Sequence, residues 1–326
     1  MSAALAVPLF LVSLAVTLAA ARLFARRLDR LGVRFGFPEA LIGLLTAVAA
    51  DGPEISSALF ALAKGAHDVG VGVLVGSNGF NLAAMIGLSA LLAGRVRLAR
   101  ETLVFEGTVG LLITVLAAAL LLGWLSPAGA SVLSAVIVVP YLAVVVAGPR
   151  FRGRRLSRLS RALHEHAAPE RPPDTSTDPT HHLLGLILVD LVLIVAGSAG
   201  MVQSALSLAG DWHISGAVLG VLILGPLTSI PNALTAGRLG LAGRGAALVG
   251  ETFNSNTINL AFGVIVPSLF VTFAAVTTLG KLQLAWLVAA TLFTLAALAR
   301  PGGMGRAEAA VLVILYFAFV AGTLVG

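Results

Sequence analysis

Long uninterrupted runs of apolar residues recur along the whole chain, and they restrict its fold more than any other feature. The first run extends from about residue 3 to about residue 21 without a charged side chain. A helix needs roughly 20 such residues to cross the hydrocarbon core of a bilayer. The strands of a membrane β-barrel would instead show alternating segments of about ten residues, which the chain lacks. We therefore predict an all-α membrane protein.

Composition supports the same class. Of the 326 residues, 58% are hydrophobic and 11% are charged, whereas soluble domains carry about 25% charged residues. The chain is too apolar for a water-soluble fold, so we predict a multi-pass protein of the cell membrane (the cytoplasmic membrane in a prokaryote) with the lipid bilayer as a partner. The chain has no cysteine, which excludes disulfides and thiolate metal sites. No cofactor motif is present, and we expect no cofactor.

About ten transmembrane spans can be drawn. They cover about residues 3–24, 37–63, 69–94, 103–123, 129–149, 183–208, 214–238, 245–275, 282–300 and 307–325. If the N-terminus lies outside, the cytoplasmic loops carry every arginine, and only Lys64 and Lys281 fall on the other side. Membrane proteins retain Lys and Arg on the cytoplasmic side, so this segregation supports both the count and the orientation. It also explains the net charge of +6 without nucleic-acid binding.

One long hydrophilic segment divides the chain. It covers residues 150–182, is rich in Arg, Pro, Ser and Thr, and is too short for a regulatory domain. We predict that it is a basic cytoplasmic linker. It would join a first five-helix half, residues 1–149, to a second half, residues 183–326.

Two polar motifs of the first half recur in the second half at a constant offset of 178 residues, as from Pro53 to Pro231. At this offset, Glu54 falls on Asn232. The second motif, Gly72-x-x-x-Gly76-Ser77-Asn78-x-x-Asn81, falls on Gly250-x-x-x-Asn254-Ser255-Asn256-x-x-Asn259. The repeats cover about residues 37–94 and 214–275. Chance similarity between apolar helices rarely matches polar residues in this way.

The two repeats run in opposite directions through the predicted membrane topology. Inverted repeats are typical of alternating-access transporters, whose sites lie near the midplane on interrupted helices. Interruptions are predicted at Asp51-Gly52-Pro53 and between Pro226 and Pro231, because proline removes a backbone donor and frees carbonyl groups. A packing kink is the alternative interpretation of each proline.

At these residues the chain resembles the sodium/calcium exchanger family of the cation/Ca²⁺ antiporters. Its two α-repeats carry a G-T-S-x-P-E-like motif followed by G-x-x-x-G-S-N-x-x-N/D. The resemblance implies exchange of Ca²⁺ or a similar cation against Na⁺, K⁺ or H⁺, and ten helices in which spans 1 and 6 slide past an eight-helix core. The chain departs from the pattern at Asn232 and Asn259, where members have Glu and often Asp, and at Ala49-Ala50-Asp51, which replaces G-T-S.

Carboxylates and neutral oxygen donors make up the candidate cation site. The candidates are Asp51, Glu54, Ser77, Asn81, Ser229, Asn232, Glu251, Ser255 and Asn259, with Thr228, Asn78, Asn256 and Asp190 as supporting residues. For Ca²⁺, the resemblance implies Glu54, Asn81 and Asn259 as ligands. Because Ca²⁺ takes about 6–8 oxygen ligands and favours several negative charges, Glu54 alone is too few carboxylates. We predict that Asp51 and Glu251 compensate.

Each candidate also has a structural interpretation. Asp51 could cap the helix that follows it, and Glu251 could pair with Arg244 near the inner end of its span. The serines and asparagines could form hydrogen bonds between close-packed helices. Asp190 and Glu106 also lie inside spans, and each could carry a coupling proton or pair with a nearby arginine. For both of these acids we expect the arginine pair.

The predicted function is secondary active antiport of a metal cation, Ca²⁺ or a similar ion, against Na⁺ or H⁺ by alternating access at a midplane site. Exchange of another cation for protons is an alternative. An intramembrane enzyme or a structural membrane protein is an alternative of another class. The acids Asp51 and Glu54 support an enzyme only weakly, and we expect a transporter whose ligands are small inorganic ions. The sequence identifies no protein partner.

Overall fold

The predicted apolar runs form helices throughout the described chain. The computed structural model describes residues 2–37, 45, 47–147 and 179–325, so the predicted linker up to residue 178 lies outside the described residues. The first half contains α1 (Ala3–Arg34), α2 (Gly52–Ala63), α3 (His67–Ala93), α4 (Arg100–Leu121) and α5 (Pro127–Ala147). The second half contains α6 (Thr180–Asp211), α7 (Gly216–Leu241), α8 (Gly245–Leu260), α9 (Thr278–Leu298) and α10 (Arg306–Val325).

Eight helices of the described part are long and apolar enough to cross a membrane, and the chain is a multi-pass membrane protein. The two shorter helices are α2, with 12 residues, and α8, with 16. They lie within two of the predicted spans. The count of ten spans therefore stays a prediction for these two helices.

The helices repeat at the same offset as the sequence motifs. Shifted by 178 residues, α4 would cover 278–299, and α9 covers Thr278–Leu298. The same shift takes α1 to 181–212, and α6 covers Thr180–Asp211. The internal repeat thus extends beyond the two polar motifs.

The helices α1 and α6 form an outer pair. Each has 32 residues, about 48 Å at 1.5 Å per residue, and each packs chiefly against the other. Arg27 of α1 and Asp190 of α6 form an ion pair at 2.5 Å. The pair meets the core through α2, where the hydroxyls of Ser56 and Ser198 lie 2.7 Å apart.

The core is centred on α3, in which 83% of the residues of an 18-residue apolar stretch are buried, and on its close contact with α7. A Cβ atom at Gly76 would lie 2.2 Å from the carbonyl oxygen of Val221, and one at Gly225 would lie 2.7 Å from the backbone nitrogen of Ser77. Small residues allow membrane helices to approach this closely. The contact holds the second motif of the first repeat against α7.

The first predicted interruption is present, and the second is not found where it was predicted. The chain turns at Asp51, directly before α2 begins. In the second repeat the prediction of a break between Pro226 and Pro231 is wrong, because the α-helix continues through Pro231. The irregular turn is a π segment at Leu219–Leu224, directly before the stretch in which Pro226 offers no N–H. Further π segments lie at Asn81–Leu88 and Ala261–Ile265, and such segments often mark functional sites.

A small antiparallel ladder joins two basic loops. Its strands are β1 (Arg95–Val96) and β2 (Met304–Gly305), with Arg95 opposite Gly305, and a 3₁₀ turn at Pro267–Leu269 is the remaining short element. The ladder places the α3–α4 and α9–α10 loops at the same end of the molecule. The positive-inside prediction assigns both of these loops to the cytoplasmic side.

Candidate functional site

Two carboxylates at the start of α2 lie at the centre of the helices. The exposed fraction is 1% for Asp51 and 0% for Glu54. Glu54 Oε1 accepts a hydrogen bond from Ser229 Oγ at 2.9 Å. Asp51 Oδ1 accepts hydrogen bonds from Asn232 Nδ2 at 2.8 Å and from Ser255 Oγ at 2.7 Å. Asp51 makes no side-chain capping bond, so the capping interpretation is wrong: its carboxylate contacts α7 and α8 instead.

These carboxylate hydrogen bonds are related by the internal repeat. At the offset of 178, position 54 corresponds to 232 and position 51 to 229. The bond from Ser229 to Glu54 is therefore the repeat mate of the bond from Asn232 to Asp51. In the pair of Ser229 and Glu54, the carboxylate belongs to the residue of the P-E motif. In the pair of Asn232 and Asp51, it belongs to the residue that faces this motif position. The carboxylate of Asp51 thus lies beside Asn232, the position at which the family motif has its second glutamate.

Four asparagines join α3 to α8 with the same symmetry. The side-chain nitrogens of Asn78 and Asn256 each donate to the other residue's backbone carbonyl at 3.2 Å. Asn81 Nδ2 donates to Asn256 Oδ1 at 3.0 Å, and Asn259 Nδ2 donates to Asn78 Oδ1 at 3.2 Å. Asn81 also donates to Ser255 Oγ at 3.1 Å, which connects this group to the carboxylates. The amide nitrogens therefore form interhelical hydrogen bonds.

Four buried acceptor oxygens of this network have no hydrogen-bond partner in the described part of the chain. They are Asp51 Oδ2, Glu54 Oε2, Asn81 Oδ1 and Asn259 Oδ1. A buried polar group left unsatisfied costs about 1–3 kcal/mol, so four of them are a substantial burden. Carboxylate and amide oxygens are the ligands that Ca²⁺ prefers. The arrangement is suited to bind a dehydrated cation.

The remaining candidates lie at the edge of this network or outside it. Ser77 donates to Leu74 O at 3.1 Å, and Thr228 donates to carbonyls of its own helix, including Leu224 O at 2.9 Å. Asp190 lies on α6, where it forms an ion pair with Arg27.

Glu251 is half-buried on α8, four residues before Ser255. Within the described ranges, no three His, Asp or Glu side chains are grouped closely enough to hold a metal ion together. Asp51, Glu54 and Glu251 therefore do not form one compact carboxylate cluster in this conformation. The pairing of Glu251 with Arg244 stays a prediction.

Sequence reasoning missed Tyr141, the buried hydrogen-bond partner of Glu106. The expectation of an arginine partner for Glu106 is wrong, because Tyr141 Oη donates to Glu106 Oε2 at 3.0 Å. Tyr141 also contacts Asn254 Oδ1. The available signal was a tyrosine inside a predicted span, in a chain with two tyrosines.

Comparison with known proteins gives one consistent result. The sodium/calcium exchanger protein family matches residues 5–148 and 182–325. A putative antiporter, CaxA of Alkalimonas amylolytica, is 30% identical over 228 residues, which are 68% of this chain and 66% of the relative's own length.

Solved structures of the sodium-calcium exchanger NCX_Mj share the fold. With 2.5 mM Na⁺ and 1 mM Sr²⁺, that protein superposes with a TM-score of 0.62 at 22% identity, covering 97% of this chain and 98% of the other. With 10 mM Na⁺ and zero Ca²⁺, the TM-score is 0.63 at 21% identity, covering 98% and 99%. The family match spans both halves of the chain and the fold agrees with it, so the chain belongs to the sodium/calcium exchanger family.

Proposed function

We propose that the chain is a secondary active antiporter that exchanges Ca²⁺ or a similar divalent metal cation for Na⁺ or H⁺. Membership of an exchanger family makes it a transporter and not an enzyme. The single observation that carries the proposal is a set of four buried acceptor oxygens, from α3, α8 and the start of α2, that have no hydrogen-bond partner among the described residues. A cation is the kind of partner that such oxygens accept.

The charge of the site supports a divalent ion. When ionised, Asp51 and Glu54 together carry two negative charges, which one divalent cation neutralises. Two sodium ions or two protons would neutralise them equally well. Because buried charge is costly unless it is compensated, a site of this charge favours exchange of one divalent ion for two monovalent ones.

The relatives named above are also described as ion exchangers or antiporters. CaxA is described as an antiporter, and NCX_Mj as a sodium-calcium exchanger. Proton exchange of a cation other than Ca²⁺ stays the second candidate, because Asn232 and Asn259 are neutral where members carry acids. The neutral amides lower the charge of the site but retain its oxygen donors.

Flux in reconstituted vesicles tests the proposal. Vesicles that contain the purified protein are loaded with ⁴⁵Ca²⁺ and exposed in turn to inward gradients of Na⁺, K⁺ and H⁺, with the membrane potential held at zero. We expect the Na⁺ or the H⁺ gradient to drive Ca²⁺ release. Asp51→Asn and Glu54→Gln should each reduce the release to the level of empty vesicles, because each removes half of the site's charge.

Glu101→Gln is the matched control, since Glu101 is an exposed carboxylate in the first turn of α4. It should transport like the wild type. Glu251→Gln in the same assay shows whether the third carboxylate contributes, and unchanged Ca²⁺ binding would end the compensation hypothesis for Glu251. The proposed function fails if no gradient moves Ca²⁺ or any other cation in a panel of Mg²⁺, Mn²⁺, Na⁺ and K⁺.

A further inference from the structure

A buried carboxyl group on α4 lies outside the network around Asp51. The exposed fraction is 5% for both Glu106 and Tyr141. The Tyr141 oxygen lies 3.0 Å from Glu106 Oε2 and also within hydrogen-bond distance of Asn254 Oδ1. The Tyr141 ring stacks on Phe105 with 5.1 Å between ring centres, which holds the hydroxyl in place. Side chains of α4, α5 and α8 therefore meet at one buried hydroxyl.

The hydrogen atoms of this group can be arranged in two ways. A tyrosine hydroxyl donates one hydrogen bond, yet Tyr141 faces two acceptor oxygens. If Glu106 is protonated, it donates to Tyr141, which donates to Asn254. If Glu106 is ionised, it accepts from Tyr141, and the Asn254 amide turns so that its NH₂ group donates to Tyr141. The two arrangements differ by one proton and by the orientation of the Asn254 side-chain amide on α8.

Within the described ranges, no lysine or arginine forms an ion pair with Glu106. The titratable residue of α5 is Tyr141, and that of α8 is Glu251, which carries the same charge as Glu106 when ionised. The titratable residue of α9 is Lys281. It lies 14 residues from Leu295, the α9 residue that approaches Gly107, which is about 21 Å along the helix.

On α4 itself, Arg100 and Glu101 lie in the first turn, one to two turns before Glu106. A proton is thus the positive charge that this site can take up.

The second half of the molecule has no polar cluster at the positions that correspond to Glu106, Tyr141 and Asn254. At the offset of 178, the counterparts of Glu106, Tyr141 and Asn254 are Leu284, Phe319 and Gly76. Leu284 and Phe319 are buried to a similar degree, with exposed fractions of 3% and 6%. The other half thus places buried apolar side chains at the positions of Glu106 and Tyr141.

The site is connected to the cation site through α8. Asn254 directly precedes Ser255, whose hydroxyl donates to Asp51 Oδ1 at 2.7 Å. We propose that Glu106, Tyr141 and Asn254 form a separate proton-binding site, whose occupancy sets the position of this turn of α8 and thereby the rate of cation exchange. The proposal rests on the proposed antiport function.

The maximal rate at which ⁴⁵Ca²⁺ exchanges for unlabelled Ca²⁺, with saturating Ca²⁺ on both sides of the membrane and no other counter-ion gradient, tests the proposal. Saturation suppresses competition between protons and Ca²⁺ at the cation site, so the remaining pH dependence reports a proton bound elsewhere. In the wild type this rate should change with pH, by up to about tenfold per pH unit for one proton. Glu106→Gln retains a donor toward Tyr141 but cannot ionise. Its maximal rate should therefore be independent of pH, with a Ca²⁺ affinity within about twofold of the wild type.

A second variant and a second measurement show whether the loss of pH dependence is specific to the proton site. Glu106→Leu combined with Tyr141→Phe copies the apolar pair of the other half, and it should fold and show the same loss of pH dependence. Glu101→Gln should retain the wild-type profile. Infrared difference spectra between acidic and alkaline buffer require no transport: the wild type should show a carboxyl band that Glu106→Gln lacks. An unchanged pH profile in Glu106→Gln, or an identical infrared difference, would overturn the proton site even if Ca²⁺ exchange is confirmed.

Discussion

Single residues decide where the negative charge of the cation site lies. Asn232 stands where the family motif has a glutamate, and the sequence leaves Glu54 as the matched carboxylate. The hydrogen bond from Asn232 Nδ2 to Asp51 Oδ1, at 2.8 Å, places the second carboxylate on the facing residue of the same pair. We therefore predict that a carboxylate at one of these two positions can replace a carboxylate at the other.

Relocation of this carboxylate is the first prediction at the residue scale. Asp51→Asn should weaken Ca²⁺ binding by at least about tenfold, which corresponds to about 1.4 kcal/mol. Asp51→Ser combined with Asn232→Glu should restore most of the affinity, because it rebuilds the arrangement of Glu54 and Ser229 in its repeat mate. Equilibrium binding of ⁴⁵Ca²⁺ to the purified protein measures both effects.

Asn232→Glu alone is the control for this exchange. It adds a third carboxylate to a buried site and should not bind Ca²⁺ like the double variant. If the double variant binds no better than Asp51→Asn, Asp51 does not occupy the role of the second family carboxylate.

At the scale of elements, a buried ion pair fastens α1 to α6. The Asp190 side chain is 2% exposed and that of Arg27 is 21% exposed, with 2.5 Å between Arg27 Nη1 and Asp190 Oδ1. Arg27 also donates to the carbonyl of Leu186 at 3.3 Å. The family resemblance implies that these two helices slide past the core, and the ion pair would make them move as one body.

Removing the charge of Arg27 should destabilise the protein more than removing the charge of Asp190. Arg27→Gln leaves a buried carboxylate without its cation and should cost roughly 3 kcal/mol. Asp190→Asn removes the buried charge itself and leaves a partly exposed arginine, so it should cost less. Thermal unfolding in detergent, followed for both variants and the double variant, checks the order. Equal losses from the two single variants would contradict the assignment of the buried charge to Asp190.

At the scale of the whole molecule, the helices of the two halves recur at an offset of 178 residues, and we predict that the two halves cross the membrane in opposite orientation. Lys64 follows α2, and Ala242 follows α7, and the two positions correspond at the offset of 178. Both side chains are exposed. With the N-terminus outside, Lys64 lies outside the cell and Ala242 inside.

Cysteine labelling tests this arrangement cleanly because the chain has no cysteine. In intact cells, a membrane-impermeant maleimide should label Lys64→Cys and leave Ala242→Cys unlabelled. Both should react after permeabilisation, and the wild type should react in neither condition. Labelling of both variants in intact cells, or of Ala242→Cys alone, would exclude the predicted topology.

The sequence predicted the class of the fold well, because helix formation in a membrane depends on local hydropathy. The repeat was visible because its polar residues keep a constant spacing, and the structure shows that the helices share this spacing. The position of the irregular turn in α7 escaped prediction. Two prolines in one span do not by themselves show which turn is irregular; the π segment lies directly before Pro226 and contacts α3 at Val221.

The sequence by itself determined that the chain is an all-helical membrane protein with repeated polar motifs, since hydropathy and spacing are properties of the linear chain. Only the tertiary structure decided which polar groups meet. The pairing of Asp51 with Asn232, the oxygens left without donors and the contact of Glu106 with Tyr141 all join different helices. Such contacts depend on how closely helices approach and which faces they present, and no stretch of sequence encodes this alone.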